Sequence, residues 1–172
     1  MQIIRSKAEN IDVFQSLWSA ALAYQKEKDY PLWPNFPSDL IKGEITEHLH
    51  YSAFSAQNEL LGYFSLALSD PFIWEDEDKE DAIYIHRMCV NPHTKSSKLA
   101  NSVLIWAYGY AQEANRSFIR MDTWANNQNL VEYYIKCGFK HIRTKQLGEM
   151  PMLPKHYSNC KLAMFQNEIL HS

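Results

Sequence analysis

The sequence predicts a domain of mixed α/β (α+β) class, with strands and amphipathic helices alternating along the chain. Three observations carry this expectation. Ala82 to Val90 is a β-branched, aromatic and apolar run of strand length, ended by Asn91-Pro92, since proline cannot donate to a ladder. After a short polar loop, Leu99, Val103, Leu104, Trp106, Ala107, Tyr110 and Ala111 recur at helical spacing. Near the N-terminus, Ile11, Phe14, Leu17, Trp18, Ala21, Leu22 and Tyr24 form a second stripe of period 3.6.

In chain order, Gln2 to Arg5 reads as a short edge strand, and Asn10 is placed to cap the first helix, whose aromatic face suits the core. Tyr30-Pro-Leu-Trp-Pro-Asn-Phe-Pro37 sets three prolines among three aromatics, which excludes regular structure and predicts a stiff loop. Ser38 caps a helix running to Leu49, with Ile41, Ile45 and Leu49 on one side. Tyr51 to Ala56 and Leu60 to Leu68 form a hairpin around Gln57-Asn58-Glu59, and Gly62 marks a bulge or a close backbone approach. Asp70 to Asp81 links that hairpin to the central strand and is acidic, with six acidic residues and one lysine from Glu75 to Asp81. They read as a solvated linking loop or as an electrostatic funnel for a cationic amine, with Phe72, Ile73 and Trp74 beside it. Phe118 to Thr123 is a further strand, Asn129 to Cys137 a helix closed by Gly138, and Lys140 to Thr144 with Lys161 to Phe165 a terminal strand pair. The loop Gly148 to Tyr157 offers Met150, Met152, Leu153, His156 and Tyr157 as pocket-lining candidates.

The 172 residues suit one domain spanning 1–172, with 46% hydrophobic and 22% charged residues, ordinary for a soluble globular protein. A net charge of −3 argues against nucleic-acid binding, which needs a basic face. No apolar run approaches the roughly 20 residues of a membrane span, and the N-terminus lacks a signal-peptide core, so a cytoplasmic location is expected. Cys89, Cys137 and Cys160 neither pair evenly nor show metal spacing, and no metal is expected.

A strand, a polar loop and a helix start make an anion site, where unpaired N–H groups and the positive helix end face the loop. Lys95 and Lys98 add charge there, and Ser96 and Ser97 add donors. Val90, Pro92 and Ala100 fall on a pattern that resembles the acetyl-CoA loop of the GNAT superfamily of acyl-CoA-dependent N-acyltransferases. Lys95 stands where Arg or Gln is usual, and Lys98 where glycine is usual. Asp122 to Phe139 resembles the family's strand and its Asn…Tyr-x-x-x-Gly-Phe segment, with Asn127, Leu130, Tyr134, Gly138 and Phe139 on that spacing. The resemblance implies the GNAT fold: a central mixed twisted sheet of about six to seven strands flanked by about four helices.

It also implies acetyl-CoA as co-substrate, bound by the backbone of Met88, Cys89 and Val90, by the loop Lys95, Ser96, Ser97, Lys98, Leu99 and Ala100, and by Asn127. The implied activity is direct transfer of an acetyl group to a primary amine of a small, cationic or aromatic acceptor. Tyr134 stands where the family places a tyrosine near the CoA sulfur as general acid; the alternative is a core tyrosine. For the base, His86 shares a strand face with Tyr84, Met88 and Val90. In arylalkylamine N-acetyltransferases, which look similar here, histidines stand two positions apart, where this chain has Tyr84 and His86. A histidine titrates near neutrality and suits this role, while a hydrogen-bonded core imidazole is the other reading. Tyr30, Trp33 and Phe36 fall in a region that tends to line the acceptor site, and Trp74 and Tyr84 join them as substrate-binding candidates; the loop aromatics read equally as a satellite cluster. Two further readings stand. One is a catalytically inactive CoA- or ligand-binding or interaction module with a degenerate phosphate loop, and the other a protein N-terminal or lysine acetyltransferase. A homodimer stays open.

Overall fold

The structure, a computed structural model, describes residues 1–94 and 98–170. Lys95, Ser96 and Ser97 lie outside the described residues. Among the described residues the strands are β1 Gln2–Arg5, β2 His50–Phe54, β3 Leu60–Ala67, β4 Ala82–Val90, β5 Phe118–Trp124, β6 His141–Gln146 and β7 Lys161–Glu168. They form a seven-stranded sheet of order β1-β2-β3-β4-β5-β7-β6. The β4–β5 pair is parallel, whereas β1–β2, β2–β3, β5–β7 and β6–β7 are antiparallel, so the sheet is mixed as expected. The helices are α1 Ile11–Glu27, α2 Ser38–Thr46, the single turn α3 Pro71–Trp74, α4 Leu99–Glu113 and α5 Gln128–Lys136. Close packing groups the chain into two compact units, Met1–Leu66 with Arg87–Ser102, and Ala67–His86 with Val103–Ser172.

In the first unit, α1 delivers Phe14, Leu17 and Trp18 and α2 delivers Ile41 and Ile45 to a core shared with Tyr63 and Cys89. That is the outcome of the 3.6-residue stripe. The caps differ from expectation. Asn10 precedes α1 but ends a 3₁₀ turn at φ −91°, ψ 1°, and its side chain makes no capping bond. Ser38 is the first residue of α2, behind Pro37, and α2 stops at Thr46, so Leu49 lies beyond it. The proline-rich loop folds its aromatics inward: Trp33 lies on Trp18 with ring centroids 4.4 Å apart, and Phe36 meets Trp18 edge-on. Trp18 Nε1 donates to the Pro34 carbonyl at 2.9 Å, and Gln25 Oε1 accepts from Trp33 N at 3.0 Å.

Gly62 is a close approach. The β2–β3 register shifts beside it, between Ala53 and Phe54, and a Cβ on Gly62 would lie 2.4 Å from the Cys89 carbonyl oxygen and 2.6 Å from Leu99 Cδ2. A backbone carbonyl cannot swing aside as a side chain can. Gly62→Ala is therefore expected to destabilise the protein by about 2 kcal/mol, the usual cost of overpacking. Urea unfolding with a lowered midpoint and an unchanged slope would register it.

In the second unit, Ile73, Trp74, Ala82, Tyr84, Leu147, Leu162 and Met164 form the core. The acidic stretch is not an open loop. It forms α3 and a 3₁₀ turn, Glu75–Lys79, and its carboxylates find partners within the chain. Glu77 pairs with Arg143 at 2.6 Å, Glu75 with Lys145 at 3.1 Å, Asp76 with Lys79 at 2.7 Å and Asp81 with Arg116 at 3.3 Å, while Glu80 holds Arg120. Asp78 accepts from Ser69 Oγ at 2.6 Å and from Asp70 N at 2.5 Å. The hydrogen bond from Arg143 holds the Glu77 carboxyl below its ordinary range.

Candidate active site

Strand β4 carries the candidate base. Its ladder with β5 pairs Ala82–Tyr84 with Phe118–Arg120, and His86 lies two residues further on. Arg87 follows at φ 51°, a left-handed conformation that costs a non-glycine residue about 1–2 kcal/mol. Its guanidinium is anchored on Glu44, whose other oxygen accepts from Ser65 Oγ at 2.5 Å.

His86 Nε2 stands 3.4 Å from Asp70 Oδ2, with the two side chains 15% and 10% exposed. The backbone fixes Asp70 at both ends: its N–H donates to Asp78 Oδ1, and its carbonyl accepts from Trp74 N at 2.9 Å to open α3. Asp122, on β5, completes a set in which one donor atom from each of Asp70, His86 and Asp122 lies within 4.8 Å of the others. Sequence reasoning found the histidine but neither aspartate. The only signal for them was a carboxylate near a strand end in each case.

Tyr134, on α5, is buried. Burial above all, then Tyr133, Cys137 and Asp122, raises its phenol above the ordinary range, so it keeps its proton at neutral pH. Asn127 caps α5, its Oδ1 accepting from Leu130 N at 3.1 Å. Gly138 closes the same helix at φ 101°, a conformation glycine adopts freely.

Trp74 and Tyr84, expected on an acceptor wall, are core residues. The Arg120 guanidinium lies 4.7 Å over the Trp74 ring and donates to Tyr84 Oη at 3.2 Å. A buried cation takes these faces for itself, and neither ring presents surface to a ligand. Trp33 and Tyr30 keep part of their surface open, the latter edge-on to Tyr24 at 6.3 Å. In the Gly148–Tyr157 region, the His156 ring lies tilted against Tyr157 with centroids 4.4 Å apart, and burial lowers its pKa.

Met88 is half-buried and Val90 exposed, while burial pushes the Cys89 thiol up to about 12. A thiol so protonated is no nucleophile. Asn91 ties the strand exit to β3, its Nδ2 donating to the Leu60 carbonyl at 2.8 Å. Lys98 is exposed, and its carbonyl accepts from Ser102 N at 3.0 Å. Buried Leu99 and Ala100 open α4, whose first N–H groups have no partner within the helix.

The Acetyltransferase (GNAT) family model matches residues 11–139. A curated relative, "Uncharacterized N-acetyltransferase YesJ" of Bacillus subtilis (strain 168), is 29% identical over 122 residues, 64% of this chain and 68% of its own. Among solved structures, a GNAT-family acetyltransferase from Listeria monocytogenes 4b F2365 superposes with a TM-score of 0.74 at 18% identity, covering 98% of this chain and 94% of that one. Spermidine N-acetyltransferase from Vibrio cholerae, solved with CoA and spermine, gives 0.66 at 14% identity, covering 97% and 94%. Those structural likenesses speak for the fold, while the family match spans the elements from α1 through α5 that hold Asp70, His86, Asp122 and Tyr134. The chain belongs to the GNAT acetyltransferase family.

Proposed function

We propose that the protein is an acetyl-CoA-dependent N-acetyltransferase that acetylates the primary amine of a small acceptor by direct transfer. The observation that carries this reading is a histidine whose Nε2 faces a buried aspartate carboxylate at 3.4 Å, in the same compact unit as a buried tyrosine that retains its proton. Attack on a thioester requires a neutral amine, and His86, backed by Asp70, accepts the proton the amine must lose. The amine nitrogen then bonds to the thioester carbon, the C–S bond breaks, and the thiolate departs. Tyr134 donates a hydrogen bond to that thiolate. Because its phenol lies well above a thiol in pKa, its main contribution is to stabilise the developing charge.

The residues present fit the co-substrate. Its pyrophosphate is anionic, and the opening of α4 presents backbone N–H groups and the positive end of the helix dipole beside exposed Lys98. A lysine in place of glycine supplies charge where the family pattern supplies close backbone approach. Met88 to Val90, Lys95 to Ala100 and Asn127 are assigned to this ligand, Asn127 through the amide nitrogen that its cap leaves over.

Calorimetric titration with acetyl-CoA and with free CoA tests the reading. Micromolar binding, weakened in Lys98→Ala, is the expected result, and no binding would leave a scaffold without transferase function. Tyr134→Phe is expected to lower kcat about 10²-fold while leaving the Kd for CoA unchanged. An equal loss in both would reduce Tyr134 to a packing residue.

A further inference from the structure

Two strands and a turn bring three metal-ligating side chains together at His86. His86 and Asp122 each lie two residues beyond the Tyr84–Arg120 pair of the parallel β4–β5 ladder, so they project from one sheet face. Asp70, in the turn before α3, reaches the same place, and one donor atom from each of the three lies within 4.8 Å of the others. No spacing in the sequence could show this, because the ligands come from three separate elements. We infer that Asp70, His86 and Asp122 form a site for a divalent first-row metal ion, zinc above all, whose binding takes His86 Nε2 out of proton transfer. The inhibitory consequence rests on the acetyl-transfer reading, whereas the site itself does not.

Asp70 is the decisive member. Its side chain is 10% exposed, and its Oδ2 has no hydrogen-bond partner among the described residues. The acidic residues that follow it are matched: Glu75, Asp76, Glu77, Glu80 and Asp81 each hold a lysine or an arginine. Among the described residues, the basic group in ion-pair contact with Asp70 is His86, at 3.4 Å. That distance is longer than an N–H···O hydrogen bond, which spans about 2.7–3.2 Å. It matches the edge between adjacent ligands on a tetrahedral ion bound at about 2.0–2.1 Å, an edge of about 3.3–3.4 Å. The 4.8 Å bound leaves Asp122 within reach of the same ion, since the broad χ2 of a carboxylate lets it turn an oxygen inward.

Donor chemistry names the ion. Two carboxylates balance a charge of +2, and a buried carboxylate without a cation is costly. Magnesium and calcium take oxygen ligands, whereas an imidazole nitrogen beside carboxylates suits zinc. Three protein ligands leave a position for water, as in sites that stay open rather than closed and structural. Zinc on Nε2 occupies the lone pair with which His86 would accept the proton of the amine. Acetyl transfer then stops until the ion leaves.

The test titrates metal-stripped protein, free of CoA, with zinc chloride by calorimetry, and reads the His86 imidazole nitrogen shifts by NMR alongside. One ion per chain at micromolar Kd or tighter, with the His86 signal shifted, is the expected result. Asp70→Asn should raise that Kd at least about tenfold. Asp76→Asn, in the exposed part of the acidic stretch, should leave it unchanged. Where Asp70→Asn melts early, magnesium chloride on the unaltered protein decides, since it should leave the His86 signal in place. No zinc binding, equal effects of the two substitutions, a His86 signal unmoved by zinc, or magnesium acting as zinc does would overturn the proposal. In a second arm, transfer from acetyl-CoA should fall at the zinc concentration that fills the site and return with EDTA, and undiminished transfer at saturating zinc would overturn it too. Zinc binding in a protein without transferase activity would keep the site and remove the transferase reading, and activity without zinc binding would do the reverse.

Discussion

Replacing Arg120 by alanine is expected to destabilise the protein by about 3–5 kcal/mol, the range for breaking a buried ion pair. Arg120 is 1% exposed in the middle of β5. It gives Nε to Gln166 Oε1 at 2.8 Å and Nη1 to the Glu77 carbonyl at 2.6 Å and to Tyr84 Oη, and its Nη2 pairs with Glu80. Truncation opens a void beneath Trp74 and Phe118 and strands three acceptors at once. Glu80 is half exposed and regains water, so the loss is centred on the cavity and on the Glu77, Tyr84 and Gln166 oxygens. Arg120→Met separates the two causes, since it refills the volume without the donors and should recover only part of the loss. Thermal unfolding would show a drop on the order of 10 °C for the alanine variant. An unchanged midpoint would mean that burying the charge cancels all it gains.

Mild acid is expected to remove about 3 kcal/mol through a single histidine. His50 is fully buried between Phe14 and Tyr63, its Nδ1 sharing a hydrogen bond with Ser6 Oγ at 2.7 Å while Nε2 has no hydrogen-bond partner among the described residues. Burial first, and the nearby Arg87 charge second, push its pKa from 6.5 down to about 4. The unfolded chain takes up the proton below about 6.5, and the folded chain only near 4. Stability is therefore complete above 6.5 and falls as the pH drops toward 4, at about 1.4 kcal/mol per unit. Urea unfolding from pH 7 to 4.5 should show this slope, and His50→Gln should flatten it. Parallel slopes for the two proteins would place the acid sensitivity elsewhere.

Periodicity made most of the architecture legible. The stripe of α1 and the apolar run of β4 report burial directly, and burial is what the sheet and helices are built from. Caps were less legible, because Asn10 and Ser38 have the right chemistry but sit at backbone angles or positions that give it no use. The candidate site divides the same way. His86 and Tyr134 stood out by residue type and motif, whereas Asp70 and Asp122 reach His86 only through the turn after β3 and the pairing of β5, which no local pattern encodes. Trp74 and Tyr84 looked like an acceptor wall because an aromatic near acidic residues suits a cationic ligand. The cation is internal: Arg120, a lone arginine between Ile119 and Met121 on a buried strand, was the sign that it would be.

The make-up of the first unit bears on how the protein is synthesised. Its core joins Phe14, Trp18 and Tyr63 to Cys89, and its residues come from two stretches of chain, Met1–Leu66 and Arg87–Ser102. A nascent chain that has released only the first stretch lacks the strand that covers Tyr63 and the carbonyl that abuts Gly62. At about 5–20 residues per second, the missing residues take a few seconds to follow. During that interval the aromatic face of α1 and the edge of β3 stay open to other chains, and that window sets the demand this protein places on chaperones.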